Sequence, residues 1–124
     1  MSDPADLDFG YLTTTGRVTG RPHRIEIWFA LRGGTVYLLS GGRERSDWVA
    51  NLLADPRVTF ELGGEIGKAR ARVLEPGTDE DALARRLLVA KYTSRDPDDL
   101  TEWGRTALPV ALDRYPASAS GALR

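Results

Sequence analysis

The amino-acid sequence predicts an α+β domain, mainly β, in which six short strands form a small barrel carrying two or three short helices. Three observations lead there. The chain has 124 residues, the length of one domain. Glycine-rich turn signals cut it into short pieces, and most of those pieces alternate apolar and polar residues as half-buried strands do.

Tyr11 to Thr15 is the first predicted strand, and His23 to Leu31 is the clearest. Ile25, Ile27, Phe29 and Leu31 fall on one face of the latter, with Arg24, Glu26, Trp28 and Ala30 on the other, because successive strand side chains point to opposite sides. Gly33-Gly34 suits a two-residue hairpin loop, and Thr35 to Ser40 is its return strand. Ser46 then caps a helix with Val49, Leu52 and Leu53 on one face, and Pro56 ends it. Arg57 to Leu62 and Ile66 to Leu74 form a hairpin across Gly63-Gly64-Glu65. Thr78 with Asp81 three residues later resembles a capping box, and Leu83, Leu87 and Ala90 with Leu88 recur at helical spacing. Asp96 before Pro97 starts a short helix through Trp103 that stops at Gly104. Ala107 to Asp113 is the sixth strand. The single domain spans 1–115, and the small, polar stretch 116–124 is expected to be a disordered tail.

Composition removes several classes of function. There are 17 Lys+Arg against 18 Asp+Glu, a net charge of −1, no Cys and one His. Thiol nucleophiles, disulfides, thiolate metal sites and multi-His metal sites are excluded, and the charge balance argues against nucleic acid as a partner. The longest run free of charged or strongly polar residues, Ala107 to Leu112, contains Pro109 and falls far short of the ~20 residues of a membrane span. The acidic start, Met-Ser-Asp-Pro-Ala-Asp, lacks the pattern of a secretory signal, so a cytoplasmic protein is expected. A chain this short buries only ~65–70 % of its unfolded surface. A cofactor groove would borrow walls from a partner, which points to a homo-oligomer.

The strongest local signal is Thr13-Thr14-Thr15-Gly16-Arg17-Val18-Thr19-Gly20-Arg21-Pro22-His23-Arg24. From Gly16 to Arg24 it is basic and free of acids in a chain of opposite overall sign. Threonine hydroxyls, glycine-freed N–H groups and planar guanidinium forks all bind phosphate oxygens, so this segment reads as an anion site. The alternative is a glycine-rich loop with solvated arginines. Ser40-Gly41-Gly42-Arg43-Glu44-Arg45-Ser46 leaves a strand and enters a helix, and its amides offer a second phosphate cradle or a plain connector. No nucleophile elbow or Walker loop occurs. His23 is the one side chain titrating near neutrality, and it reads first as a positioning residue. Any reaction is therefore carried by an organic cofactor. Glu26 is expected to pair with Arg24, Arg70 or Arg72, or else to line the pocket. The large aromatics Trp28, Trp48, Tyr92 and Trp103 read as core or as a groove lining.

The run from Thr13 to Pro22, the strand pair ending in Ser40-Gly41-Gly42, and Trp48-Val-Ala-Asn51-Leu-Leu-Ala54-Asp-Pro56-Arg-Val58 together resemble the deazaflavin-dependent nitroreductase family. The resemblance covers roughly positions 11 to 64, extends more weakly to Leu108-Pro109-Val110, and is specific as an ordered combination. It implies a six-stranded split β-barrel of the FMN-binding type, usually dimeric, that binds coenzyme F420 in a groove. Carried over by position, Arg17, Thr19, Gly20 and Arg21 hold the phosphate and acidic tail, with His23 and Arg24 beside them and Ser40, Gly41, Gly42 and Arg43 on the far side. Ile25, Glu26, Ile27 and Trp28 flank the ring through their backbone, together with Trp48 and Asn51, and Tyr92 and Trp103 are substrate-side candidates. The implied reaction is hydride transfer from reduced F420 to an electron-poor small molecule such as a quinone or nitro compound, with no catalytic side chain. An FMN-dependent reductase or oxidase, or a non-catalytic flavin-binding protein, is the alternative. Two positions depart from the family pattern: His23 stands where an Arg is common, and Glu26 where a Pro is common. The loop before Trp48 is also shorter than usual, and an N-terminal helical extension that often covers the substrate is not found.

Overall fold

The computed structural model describes residues 3–114; the expected tail, 116–124, lies outside them. Seven antiparallel strands form one curled sheet: β1 (Gly10–Thr15), β2 (Pro22–Ile27), β3 (Ala30–Arg32), β4 (Thr35–Ser40), β5 (Arg57–Leu62), β6 (Glu65–Val73) and β7 (Leu108–Asp113). Their order is β2-β1-β5-β6-β7-β4-β3. The helices are α1 (Asp47–Ala54), α2 (Asp79–Thr93) and α3 (Thr101–Thr106). No helix among the described residues is long and apolar enough to cross a membrane.

The sheet has seven strands rather than six because the predicted strand His23–Leu31 is two strands, β2 and β3, broken at Trp28 and Phe29. β2 lies at one edge of the sheet and β3 at the other, so the break is where the chain crosses from one side of the barrel to the other. A buried backbone leaving its ladder needs new hydrogen-bond partners, and α2 supplies them. Phe29 N–H donates to the Tyr92 hydroxyl at 3.0 Å, and Lys91 Nζ donates to the Phe29 carbonyl at 3.0 Å. The Tyr92 hydroxyl also reaches the carbonyls of Asp8 at 2.9 Å and Phe29 at 3.1 Å. No strand-period argument registers this break, because the apolar alternation continues through it.

Two cores result. Inside the barrel, Leu12, Phe29, Val36, Leu38, Val58, Phe60, Val110 and Leu112 pack together, with Ile25, Ile27, Leu31 and Trp48 against them. The apolar face expected of 23–31 therefore does point inward. Outside, α2 and α3 cover β3, β4 and β7, burying Tyr37, Leu39, Ala111, Ala84, Leu88 and Tyr92. β4 is consequently buried on both faces.

The helices differ from expectation in detail. Ser46 precedes α1 but makes no side-chain cap bond, because its hydroxyl is engaged with Ser40 Oγ at 2.7 Å. Leu53 is 58 % exposed, so α1 buries Val49, Asn51 and Leu52 instead. In α2 the buried line is Asp81, Ala84, Leu88 and Tyr92, with Leu83 and Leu87 on its flank and Ala90 outside. Thr78 caps this helix by accepting from Asp81 N–H at 3.2 Å, whereas the Asp81 carboxylate turns to Gly77 N–H at 3.0 Å. The helix expected from Asp96 to Trp103 runs from Thr101 to Thr106 and continues through Gly104. A methyl group at Gly104 would collide with Val89 Cγ2, so glycine here serves the close approach of α3 to α2 rather than the helix end. Glu65 belongs to β6, and Gly63 and Gly64 alone turn the hairpin, with φ of 59° and 90°.

Candidate functional site

The basic segment is the β1–β2 hairpin loop, and it is docked on α1. Gly16 N–H donates to the Arg21 carbonyl and Gly20 N–H to the Gly16 carbonyl, both at 2.8 Å, while Thr19 Oγ1 accepts from Arg21 N–H at 3.2 Å. Gly20 sits at φ 76°, a conformation that disfavours other residues. Asn51, on the buried face of α1, clamps the loop. Its Oδ1 accepts from Arg17 N–H at 3.1 Å and from the Arg17 guanidinium at 2.8 Å, and its Nδ2 donates to Thr14 Oγ1 at 3.1 Å. The same guanidinium reaches Asp47 Oδ1 at 3.2 Å. A polar residue between Val49 and Leu52 is the sequence signal for this clamp, and Asp47, the first residue of α1, is the second partner of the Arg17 guanidinium.

A cavity of about 190 Å³ lies between the loop and α1, lined by Gly16, Arg17, Val18, Thr19, His23, Asp47 and Asn51. Gly16 is what lets His23 approach: a Cβ there would come within 2.7 Å of the imidazole Nε2. Arg21 is exposed and makes no side-chain hydrogen bond or ion pair among the described residues. It is the loop's uncommitted cation.

The second loop leads into the N-terminus of α1, where Asp47 meets Arg17. Ser40 Oγ bonds the Arg43 carbonyl at 3.0 Å and Ser46 Oγ at 2.7 Å, closing a tight turn in which Arg43 takes φ 53°. Gly41 and Gly42 stay exposed, and a Cβ at Gly41 would touch Trp103 Cδ1 at 3.5 Å. The Arg43 guanidinium is turned away, donating to the Thr106 carbonyl at the end of α3. Two loops converge on one short helix, and β2, which carries His23 of the cavity wall, lies at the edge of the sheet with β1 as its one strand partner among the described residues.

Some expected site residues lie elsewhere. Arg24 and Glu26 project from the opposite face of β2: Arg24 pairs with Glu61 at 3.1 Å and lies over the Tyr11 ring at 4.1 Å. Glu26 accepts from the Tyr11 hydroxyl at 3.2 Å, its register partner on β1, and none of the arginines suggested for it. Arg72 is held instead by Glu80 and Asp113, at 2.7 and 2.6 Å. That ion pair and burial act on Tyr37, which donates to Glu80 at 2.8 Å; burial first and then Glu80 push its phenol up to about 12. Tyr92 is 1 % exposed and its ring stacks on Trp28 at 4.2 Å, with Trp103 edge-on to Trp28 at 5.5 Å. Tyr92 thus presents no surface to a substrate, whereas half-buried Trp103 borders the Gly41 loop. Trp48 is half-buried against the barrel core. Beneath Phe29, burial and then Arg95 bring Lys91 down to about 8.

Comparison with known structures defines the class. The chain superposes on a structure described as an F420-H2 dependent reductase (FDR-A) with TM-score 0.71 and 19% identity, covering 86% of this chain and 94% of that one. It superposes on another described as a domain-swapped dimer with TM-score 0.70 and 20% identity, covering 86% and 80%. A FAD-binding protein from Mesorhizobium loti matches with TM-score 0.65 and 14% identity, covering 90% and 83%. The fold is therefore the split barrel of flavin- and deazaflavin-binding proteins. Within that class, the model of the F420H(2)-dependent quinone reductase family matches residues 5–114, and the chain belongs to this family. It is an F420-dependent oxidoreductase, and of the two cofactors considered from the sequence, its cofactor is F420.

Proposed function

We propose that the chain binds F420 along α1 and passes a hydride from the reduced cofactor to a quinone-type acceptor. The carrying observation is the convergence on α1 of a basic, threonine-bearing loop and a Gly-Gly loop, with β2 at the edge of the sheet. The donor set fits the cofactor's chemistry: Arg17, Arg21, Thr19 and the Gly20 backbone suit a phosphate, and the edge of Ile25–Trp28 offers N–H and C=O groups to a planar heterocycle.

Reduced F420 supplies the hydride. The protein supplies position. Asn51 fixes the Arg17 loop, so the phosphate-binding groups are pre-ordered before ligand arrives. Arg17 keeps part of its charge against Asp47, whereas Arg21 is free to pair with the ligand. His23, at the cavity wall, adds a hydrogen-bonding group at the phosphate end. Ser40, Gly41 and Gly42 bound the far side with exposed backbone, Trp48 and Asn51 flank the ring, and Trp103 borders the acceptor's approach. Arg24, Glu26 and Arg43 take part through backbone alone, their side chains being committed elsewhere.

A homodimer is part of this reading, supported by the small size of the chain and by the matched structure described as a domain-swapped dimer. So is a cytoplasmic location, supported by membership of a family of F420-dependent enzymes. Fluorescence titration of purified protein with F420 and with FMN, followed by quinone-dependent oxidation of reduced F420, tests the proposal. Selective, salt-sensitive F420 binding with quinone turnover supports it. FMN preference, or tight F420 binding without turnover on any quinone or nitro compound, overturns it. Light scattering of the purified protein tests the dimer, and cell fractionation the location.

A further inference from the structure

Half-buried Trp103 borders two segments that the proposed function places around the cofactor. Its indole lies edge-on to Trp28 at 5.5 Å, and a Cβ on Gly41 would stand 3.5 Å from its Cδ1 and 3.8 Å from its Nε1. The residue is carried by α3, a helix of six residues. So short a helix has little stability of its own, and its place is set by what holds it. On one side α2 does so. Gly104 packs against Val89, and the Arg85 guanidinium, itself held by Asp81 at 2.8 Å, donates to the carbonyls of Gly104 at 3.0 Å and Arg105 at 3.1 Å. On the other side the next carbonyl, that of Thr106, accepts from the Arg43 guanidinium.

Arg43 belongs to the Gly-Gly loop, and the loop is shaped to present it. Ser40 pairs with Leu108 in the register of β4 and β7, so Gly41 and Ala107 leave the sheet side by side. Arg43 takes φ 53°, a conformation that costs an L side chain energy. Gly41 and Gly42, for which that conformation would be free, do not use it: neither is among the positive-φ glycines, and Gly42 has φ −81°. Ser40 Oγ and Ser46 N–H fix the turn by donating to the Arg43 carbonyl, at 3.0 and 3.2 Å. Strain held in place by its surroundings marks a side chain that the local fold must aim. The other group facing Arg43, Glu44 Oε1, stands 3.6 Å from its Nε, beyond hydrogen-bond distance.

We propose that Arg43 is a positioning residue for the acceptor: by tying the Gly-Gly loop to the end of α3, it holds the Trp103 indole beside Gly41 as a wall against which the quinone ring packs. A flat indole suits a flat ring. The proposal rests on the cofactor placement and the quinone reaction proposed above. The guanidinium acts through Trp103 and touches neither reactant.

The test uses Arg43→Asn, which removes the tether but tolerates the left-handed turn, and Arg43→Lys, which keeps a donor. Thermal unfolding verifies that each variant is folded. In the unliganded protein, Arg43→Asn should make tryptophan fluorescence more quenchable by acrylamide, and that increase should vanish in a Trp103→Ala background. F420 affinity by titration should stay within about twofold of wild type, as for sites that do not couple. With reduced F420 and menadione, the quinone KM should rise about fivefold, the worth of one exposed hydrogen bond, at a kcat close to wild type. Arg43→Lys should recover part of the rise. On top of Trp103→Ala, Arg43→Asn should add no more than about twofold, because both act through one contact. An unchanged KM in Arg43→Asn overturns the positioning role and leaves the cofactor site standing, as does a rise of full size that persists without Trp103. A matching loss of F420 affinity overturns it too, by making Arg43 a cofactor ligand. If wild type binds F420 but reduces no quinone, the function proposed above fails and the positioning role falls with it.

Discussion

Replacing Tyr92 by phenylalanine keeps the ring stacked on Trp28 and removes one oxygen, and the structure fixes what that oxygen does. The hydroxyl accepts from Phe29 N–H at 3.0 Å and gives its single proton to the carbonyl of Asp8 at 2.9 Å or of Phe29 at 3.1 Å. Phe29 is fully buried, so its N–H loses its acceptor with no water to replace it; an orphaned buried donor costs about 1–3 kcal/mol, and the lost donated bond about 1 kcal/mol more. The Phe29 carbonyl keeps Lys91, which limits the loss. Tyr92→Phe should therefore destabilise the protein by about 2–3 kcal/mol, a large share of the ~5–15 kcal/mol typical of a domain. Urea unfolding followed by tryptophan fluorescence measures it, with the midpoint falling by about 1 M at unchanged slope. A loss below about 0.5 kcal/mol would refute the argument that this hydroxyl holds the β2–β3 break together. F420 affinity of the folded variant should match wild type, since the Tyr92 side chain is buried and stays stacked on Trp28.

Three further outcomes follow from particular contacts. Arg21→Ala should weaken F420 binding by about tenfold or more with no change in melting, because the side chain is unpartnered; Arg17→Ala should do the same at a small stability cost, read by titration and melting together. Gly104→Ala forces α3 off Val89 and should cost about 1–3 kcal/mol in urea unfolding, partly restored by adding Val89→Ala. The pH dependence of stability has two limbs. Glu80 is held below the usual carboxylate range chiefly by Arg72, and Asp81 is lowered as well, burial pushing it up but Gly77 N–H and Arg85 together outweighing burial. Their stabilisation is present above the unfolded carboxylate value, about 4, and is lost as pH falls through their folded values. Lys91 acts at the alkaline side: between about 8 and its ordinary 10.5 the unfolded chain binds the proton that the folded state has released, so stability should rise with pH there. Lys91→Met should flatten that rise in unfolding measured at a series of pH values.

Local pattern carried much of this molecule. The period-two alternation located β1, β5 and β6, since a sheet with one buried face must bury every second residue, whereas β4, buried on both faces, was legible as the return strand of the Gly33-Gly34 hairpin and β7 as a short apolar run. The clash of local and global charge picked out Arg17 to Arg21, and the structure docks that loop on a helix. Lys68, Arg70 and Arg72 alternate legibly too, but their fates diverge: Arg72 makes direct ion pairs with Glu80 and Asp113, whereas Arg70, opposite Asp113 in register, and Lys68 make no side-chain hydrogen bond or ion pair among the described residues. That difference depends on where α2 begins relative to the sheet.

The sequence by itself determined which residues are apolar on which face, where glycine permits a turn, and that the chain holds one histidine and no cysteine. Only the tertiary structure decided where the long strand 23–31 breaks, because the break is stabilised by Tyr92 and Lys91, more than sixty residues away in sequence. It also decided that Asn51 reaches back to Arg17 and Thr14, and that Arg24 and Glu26 turn away from the helix. Hydrogen bonds between distant segments depend on how the sheet curls and how the helices seat on it, and no short-range periodicity encodes that geometry.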